Sequence, residues 1–297
     1  MAHLDVVVKL EMDLGESPLW DYRQQCLYWI DIHVGRIYAW KPSVDKQPVC
    51  IQLNEPVGCL ALSEQHHVIA AMKSGICQLD AELQPAFVLA KNPEWDGEKG
   101  NRFNDGCVDP LKRLWVGTLD REEKYSTAAL YCLSGTELER KKSGITISNG
   151  LAFSPAGDWL YHTDSPKRQV VRHRFNPQTG EIGEAELWIN LDTYNLPGVV
   201  DGAAVDSLGR YWCALYGGGQ VVCFSPEGEY LHSYLLPCPH PTMVTFGGDD
   251  LKTMFVTTAR QHLTSEEYSL YPDAGSLFAC QVDVPGLAQP IFKGSIS

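Results

Sequence analysis

Two carboxylates and two side-chain amides, Glu16, Asn104, Asn149 and Asp201, recur at corresponding places along a chain of 297 residues. Each opens a small or apolar run, as in Asn149-Gly150-Leu151-Ala152-Phe153 and Asp201-Gly202-Ala203-Ala204-Val205, the pattern of a fully buried strand. If Glu16, Asn149 and Asp201 converge, their carboxylates repel each other and lose hydration, and a divalent cation is the usual compensation. Such a ligand set is all oxygen with two negative charges. It suits Ca2+, Mg2+ or Mn2+ better than a structural zinc site, which favours Cys and His. Asn-Gly and Asp-Gly taken singly are ordinary turn formers; it is their common phase in a repeat that points to a site.

The elements that must bring these residues together follow from that repeat. Short aromatic or β-branched segments begin at Leu27, Val68, Leu114, Leu160, Tyr211 and Met254, about every 41 to 51 residues, the scale of a propeller blade. Turn chemistry precedes them, as in Asp109-Pro110-Leu111-Lys112-Arg113 and Asp206-Ser207-Leu208-Gly209-Arg210. Ten to twelve residues before each anchor stand Glu16, Gly58, Asn104, Asn149, Asp201 and Thr242. The expected fold is therefore all-β, a six-bladed β-propeller forming one domain over residues 1–297, with these positions on the innermost strands around the axis. A two-sheet sandwich does not require such regular spacing.

Composition narrows the function classes. A formal charge of −13 and the lack of a basic stripe disfavour nucleic acid and anionic membranes as partners. The ten cysteines are scattered, several in apolar runs (Cys59, Cys213, Cys223), and no stretch resembles a signal peptide or membrane span, so a cytoplasmic setting is expected. There is no G-x-S-x-G elbow, H-E-x-x-H, P-loop or dinucleotide fingerprint. His66-His67 reads as a solvated turn and His162 as a packed strand residue. Tyr28, Trp29, Trp115, Trp159 and Trp212 read as core between blades.

Gly15-Glu16-Ser17-Pro18-Leu19-Trp20, Asn101-Arg102-Phe103-Asn104-Asp105-Gly106, Ile147-Ser148-Asn149-Gly150 and Asp201-Gly202 together resemble the senescence marker protein 30, gluconolactonase and luciferin-regenerating enzyme family, which includes regucalcin. The likeness runs nearly end to end. It implies a six-bladed propeller with one divalent ion held by Glu16, Asn149 and Asp201, Ca2+ first, with Zn2+, Mn2+, Mg2+ and Fe2+ as further candidates. It also implies substrate contacts from Arg102, Asn104 and an acidic residue in the loop after Gly117-Thr118, where Glu122 matches best. The implied reaction is hydrolysis of a sugar lactone; as the carboxylate able to take the proton from the attacking water, Asp201 is the expected general base. Metal-dependent hydrolysis of another ester or phosphotriester, and a non-catalytic calcium-binding role, are the alternatives.

Overall fold

The computed structural model describes residues 4–294, which form six sheets arranged as a six-bladed β-propeller. The innermost strands are Gly15–Asp21, Val57–Ser63, Arg102–Val108, Ser148–Phe153, Val199–Val205 and Pro241–Gly247, in blades 1 to 6. Each packs against the innermost strands of both neighbouring blades, closing a ring. The six repeat anchors form the second strand of each blade, from Cys26–Asp31 to Thr253–Thr258.

Asp5–Val8 closes the circle by pairing antiparallel with Leu277–Gln281, so the last blade is built from both ends of the chain. Six apolar clusters fill the six interfaces between blades, among them one built on Trp20, Trp29 and Phe255 and another on Trp212, Phe246 and Phe278. Trp29, Trp115 and Trp212 are fully buried there, as the repeat suggested. Trp159 also packs against such a cluster, the one between blades 4 and 5, but less deeply. It is only partly buried, and the guanidinium groups of Arg174 and Arg172 lie 3.9 and 4.3 Å from its ring.

Two further devices position the site. In all six blades the register between the innermost strand and its neighbour slips at the same place: after Glu16, around Gly58, Asn104 and Thr242, after Asn149, and around Asp201. A bulge leaves a side chain re-aimed and a backbone N–H without a ladder partner. Inside the blade 4 bulge the N–H of Leu151, and just past the blade 2 bulge that of Leu60, are answered from the preceding blade. Leu60 donates to Ser17 Oγ at 2.9 Å, and Leu151 donates to Asp105 Oδ2 at 2.7 Å. Ser17 and Gly150, both at bulges, adopt left-handed backbone, with φ of 49° and 63°.

The opposite end of the channel is covered. After the last blade the chain bridges to Asp206, then lays Ile291–Phe292 parallel to Leu62 and Ser63. Leu287 and Pro290 help line an inner cavity of about 320 Å³ whose other walls include Leu19, Leu60, Leu62, Leu151 and Met243. Polar chemistry is therefore concentrated at the other mouth.

Candidate active site

Glu16, Asn104, Asn149 and Asp201 are all buried and line one cavity of about 90 Å³ at that mouth, together with Arg102. The other two ring positions stand apart from it. Thr242 bonds through Oγ1 to the Gly15 carbonyl and the Thr257 hydroxyl. At Gly58 an added Cβ would lie 2.3 Å from the Phe103 carbonyl oxygen, so glycine there lets blade 3 approach closely.

The entry to two of these strands is clamped by aspartates at the ends of the second strands. Asp31 accepts the N–H groups of Asp13 and Leu14, both at 3.0 Å, just ahead of Glu16. Asp164 accepts those of Thr146 and Ile147, at 3.0 and 2.9 Å, just ahead of Asn149. Leu27-Tyr28-Trp29-Ile30-Asp31 and Leu160-Tyr161-His162-Thr163-Asp164 carry this signal in sequence, fifteen residues beyond each ring position.

A directional chain of hydrogen bonds then fixes the polar side chains. Arg102 Nη1 donates to Asn104 Oδ1 at 2.7 Å, and Asn104 Nδ2 donates to Asn149 Oδ1 at 2.7 Å. Asn149 Nδ2 donates to Ser165 Oγ at 2.9 Å, and that hydroxyl donates to the Val200 carbonyl at 2.7 Å. Because guanidinium only donates, the orientation of both amides follows. Asn149 Oδ1 keeps a second lone pair for a ligand. Ser165 was not apparent from the repeat, since it opens a short 3-10 turn after the strand Trp159–Asp164 and meets its acceptor, the Val200 carbonyl, only when blades 4 and 5 are assembled.

Electrostatically the mouth is strained. The carboxyls of Glu16 and Asp201 line the same mouth, and both have their pKa raised, chiefly by burial, that of Asp201 also by the charge of Glu16. The nearby charge of Asp105 adds to this, and Arg102 opposes it. Burial pushes Asp105 up to about 7, against hydrogen bonds from Leu151 and Gly106 that favour its charged form. Burial also pulls Arg102 down to about 10, while Glu123, Glu16 and Asp201 hold its charge in place.

Two desolvated, mutually repelling carboxyls beside an oriented amide oxygen are the donor set a hard divalent cation requires, so these residues fit such an ion. Among the described residues no group of three or more His, Cys, Asp or Glu has metal-binding placement. The third oxygen donor at this mouth is an amide, Asn149 Oδ1.

The acidic loop contributes differently from the sequence expectation. Glu122 and Glu123 are both exposed, but only Glu123 lines the cavity and faces Arg102. The cause is local: Glu123 sits at the end of a turn closed by its N–H on the Asp120 carbonyl, in left-handed backbone at φ 56°, which turns it toward the mouth. Tyr216, Gln261 and His262 complete the wall. The Tyr216 hydroxyl lies 3.0 Å from both the Gln261 carbonyl and His262 Nδ1, and its ring stacks on His240 with centroids 4.3 Å apart. His162, by contrast, is buried and meets Ser148 Oγ at 2.9 Å, a packed residue as expected. His66 is exposed in a turn. Eight of the ten cysteines are buried; Cys107 is partly so and Cys50 is exposed, and all are free thiols.

Comparison with known proteins places these features among relatives. Residues 14–260 match the family model described as SMP-30/Gluconolactonase/LRE-like region. A protein of Pseudomonas putida named 6-deoxy-6-sulfogluconolactonase is 41% identical over 98% of this chain and 99% of its own length. The crystal structure of a calcium-binding protein, regucalcin, from Agrobacterium tumefaciens superimposes with a TM-score of 0.91 at 26% identity, covering 97% of this chain and 96% of that one. A luciferin-regenerating enzyme gives the same TM-score at 25% identity, over 99% of this chain and 100% of that one. No helix among the described residues is long and apolar enough to cross a membrane.

Proposed function

Since the chain belongs to the SMP-30/gluconolactonase/LRE-like family of sugar lactonases, hydrolases of cyclic esters, we propose that it hydrolyses an aldonolactone to the open aldonic acid in a divalent-cation-dependent reaction at the mouth formed by Glu16, Arg102, Asn104, Asn149 and Asp201. The observation that carries the proposal is the pairing of two buried, mutually repelling carboxyls with a hydrogen-bond chain that presents Asn149 Oδ1 beside them. Glu16, Asn149 and Asp201 hold the ion. When bound, it supplies Lewis-acid polarisation of the lactone carbonyl. The calcium-binding regucalcin among the structural relatives favours Ca2+ as the first ion to test.

The chain's own residues do the rest. Arg102 presents a fixed fork of donors to the hydroxyls or carbonyl side of the substrate, and its bond to Asn104 keeps that fork in place. Asn104 is polar on both faces and sits between Arg102 and Asn149, a position suited to a sugar hydroxyl. Asp201 accepts a proton from the water whose oxygen bonds to the carbonyl carbon. The ring C–O bond then breaks, the ring oxygen takes up a proton, and the hydroxy acid is released. Burial of the mouth strengthens these polar interactions.

The test is acid release from fresh aldonolactones by chelator-stripped protein, with Ca2+, Mg2+, Mn2+, Zn2+ or Fe2+ returned singly and metal-only blanks subtracted. An ion-restored rate is the expected result. Folded protein that binds Ca2+ yet releases no acid with any ion would point instead to a calcium-binding protein without catalysis.

A further inference from the structure

A second cavity, of about 250 Å³, adjoins the first and shares Arg102, Leu119 and Glu123 with it. Its walls include Lys73, from the hairpin turn of blade 2, and Arg121, from the loop after the second strand of blade 3. Lys73 is held in place. Its N–H donates to the Pro56 carbonyl and its own carbonyl accepts from Asn92 Nδ2, both at 2.9 Å, while its ammonium lies 3.9 Å from the centre of the Trp95 ring. The backbone of Arg121 is fixed by donation to Asn101 Oδ1 at 3.0 Å.

Among the described residues neither cation has a carboxylate within ion-pair distance. The two carboxylates lining this cavity are Glu98 and Glu123, and Glu123 faces Arg102. His33 is engaged by Asp13 at 2.7 Å. Lys73, over the Trp95 ring, and Arg121, which meets a carboxylate only through the longer-range charge of Asp96, are therefore positive groups without a direct ion pair in a chain whose formal charge is −13. An aromatic face beside an unpaired ammonium, near a guanidinium fork, is suited to a multi-oxygen anion.

We propose that this cavity is a subsite for an anionic group, a sulfonate or phosphate, carried at the end of the substrate remote from the lactone carbonyl. The inference rests on the lactonase reading for its orientation, since Arg102 is the wall common to the reacting mouth and the anion site. Selectivity for charged over neutral lactones follows from it, because an anion satisfies two cations that a terminal hydroxyl leaves unpaired.

The experiment compares gluconolactone with its 6-phosphorylated and 6-sulfonated forms, with spontaneous hydrolysis subtracted. The expected kcat/KM is at least about tenfold higher for the charged lactones. Lys73→Met and Arg121→Gln are each expected to lower the charged-substrate value about tenfold, through KM, and to leave gluconolactone within about twofold. Equal preference for phosphate and sulfonate assigns the effect to charge, and a difference between them assigns it to shape. A charged lactone turned over no better than the neutral one, or variants that lower both alike, overturns the subsite. Calorimetric titration with 6-phosphogluconate and gluconate separates this inference from the reading beneath it. Tighter binding of the phosphorylated acid that disappears in the Lys73→Met/Arg121→Gln double variant supports the anion site even if no lactone is hydrolysed. Equal binding of the two acids overturns it.

Discussion

Asn104 reaches across the boundary between blades 3 and 4 and donates from Nδ2 to Oδ1 of Asn149 at 2.7 Å. The bond makes one amide the orienting partner of the other, as outer residues orient the ligands of a metal. Asn104→Ala is therefore expected to leave a folded protein whose apparent affinity for the activating cation falls about 10- to 100-fold. Titration of the chelator-stripped variant with Ca2+, read by calorimetry, checks this. An unchanged affinity would show that Asn149 does not depend on Asn104 for its orientation.

Asp201→Asn keeps the size of the side chain and removes the negative charge that faces Glu16. Turnover is expected to fall at least about 10²-fold. The metal-free variant is expected to melt at or above the temperature of the metal-free parent, because a mutual repulsion is gone. Near-normal turnover would remove Asp201 from the role of base.

The buried carboxyls make a prediction about pH. Glu16, Asp105 and Asp201 all have folded-state pKa values above their ordinary ones, so their contribution to stability is full below the unfolded pKa and is lost as pH rises through the folded one. For Asp105 the rise from 3.8 to about 7 corresponds to on the order of 4 kcal/mol between those limits. Metal-free protein should thus melt at progressively lower temperature from about pH 5 to about pH 8. A bound cation should flatten the profile by favouring the charged forms. Melting curves with and without Ca2+ across that range test the sign, and a metal-free profile that rises with pH contradicts it.

Blades 3 and 5 share a clip that predicts stability separately from function. Asp206 accepts from Arg210 Nε and from Trp212 Nε1, the latter at 2.9 Å, and Asp109 does the same for Arg113 and Trp115 at 2.8 Å each. Both aspartates are fully buried. Asp206→Ala leaves a guanidinium and an indole N–H without their acceptor, a loss of about 3–5 kcal/mol. Urea unfolding should register it, with turnover per folded molecule unchanged, since the clip lies away from the reacting mouth.

The repeat and its ring positions were legible because each blade must solve the same local problem: a buried inner strand, a bulge, a turn and an aromatic anchor. Glu16, Asn149 and Asp201 share a phase for that reason. What connects blades was not legible. Ser165 as donor to the Val200 carbonyl, Asp105 as acceptor for Leu151, and the closing strand Asp5–Val8 act on partners far away in sequence, and no local pattern specifies the pairing. Which acidic residue of the loop lines the mouth was not legible either: it is Glu123 rather than Glu122, and Glu123 stands in left-handed backbone that a row of acidic residues does not announce.

That single-residue difference supplies a sharp comparison. Glu123 lines the mouth and faces Arg102, so Glu123→Gln removes a charge that holds the guanidinium in place. Because Arg102 is placed as a substrate-binding group, the expected effect is a KM raised about three- to tenfold with a smaller change in kcat. Glu122→Gln, on the neighbour that does not line the mouth, is expected to change neither by more than about twofold, since surface substitutions away from specific contacts are nearly neutral. Steady-state kinetics on the same lactone for the pair decide the matter. If Glu122→Gln carries the larger effect, the loop closes differently over bound substrate, and the wall assigned to Glu123 belongs to its neighbour.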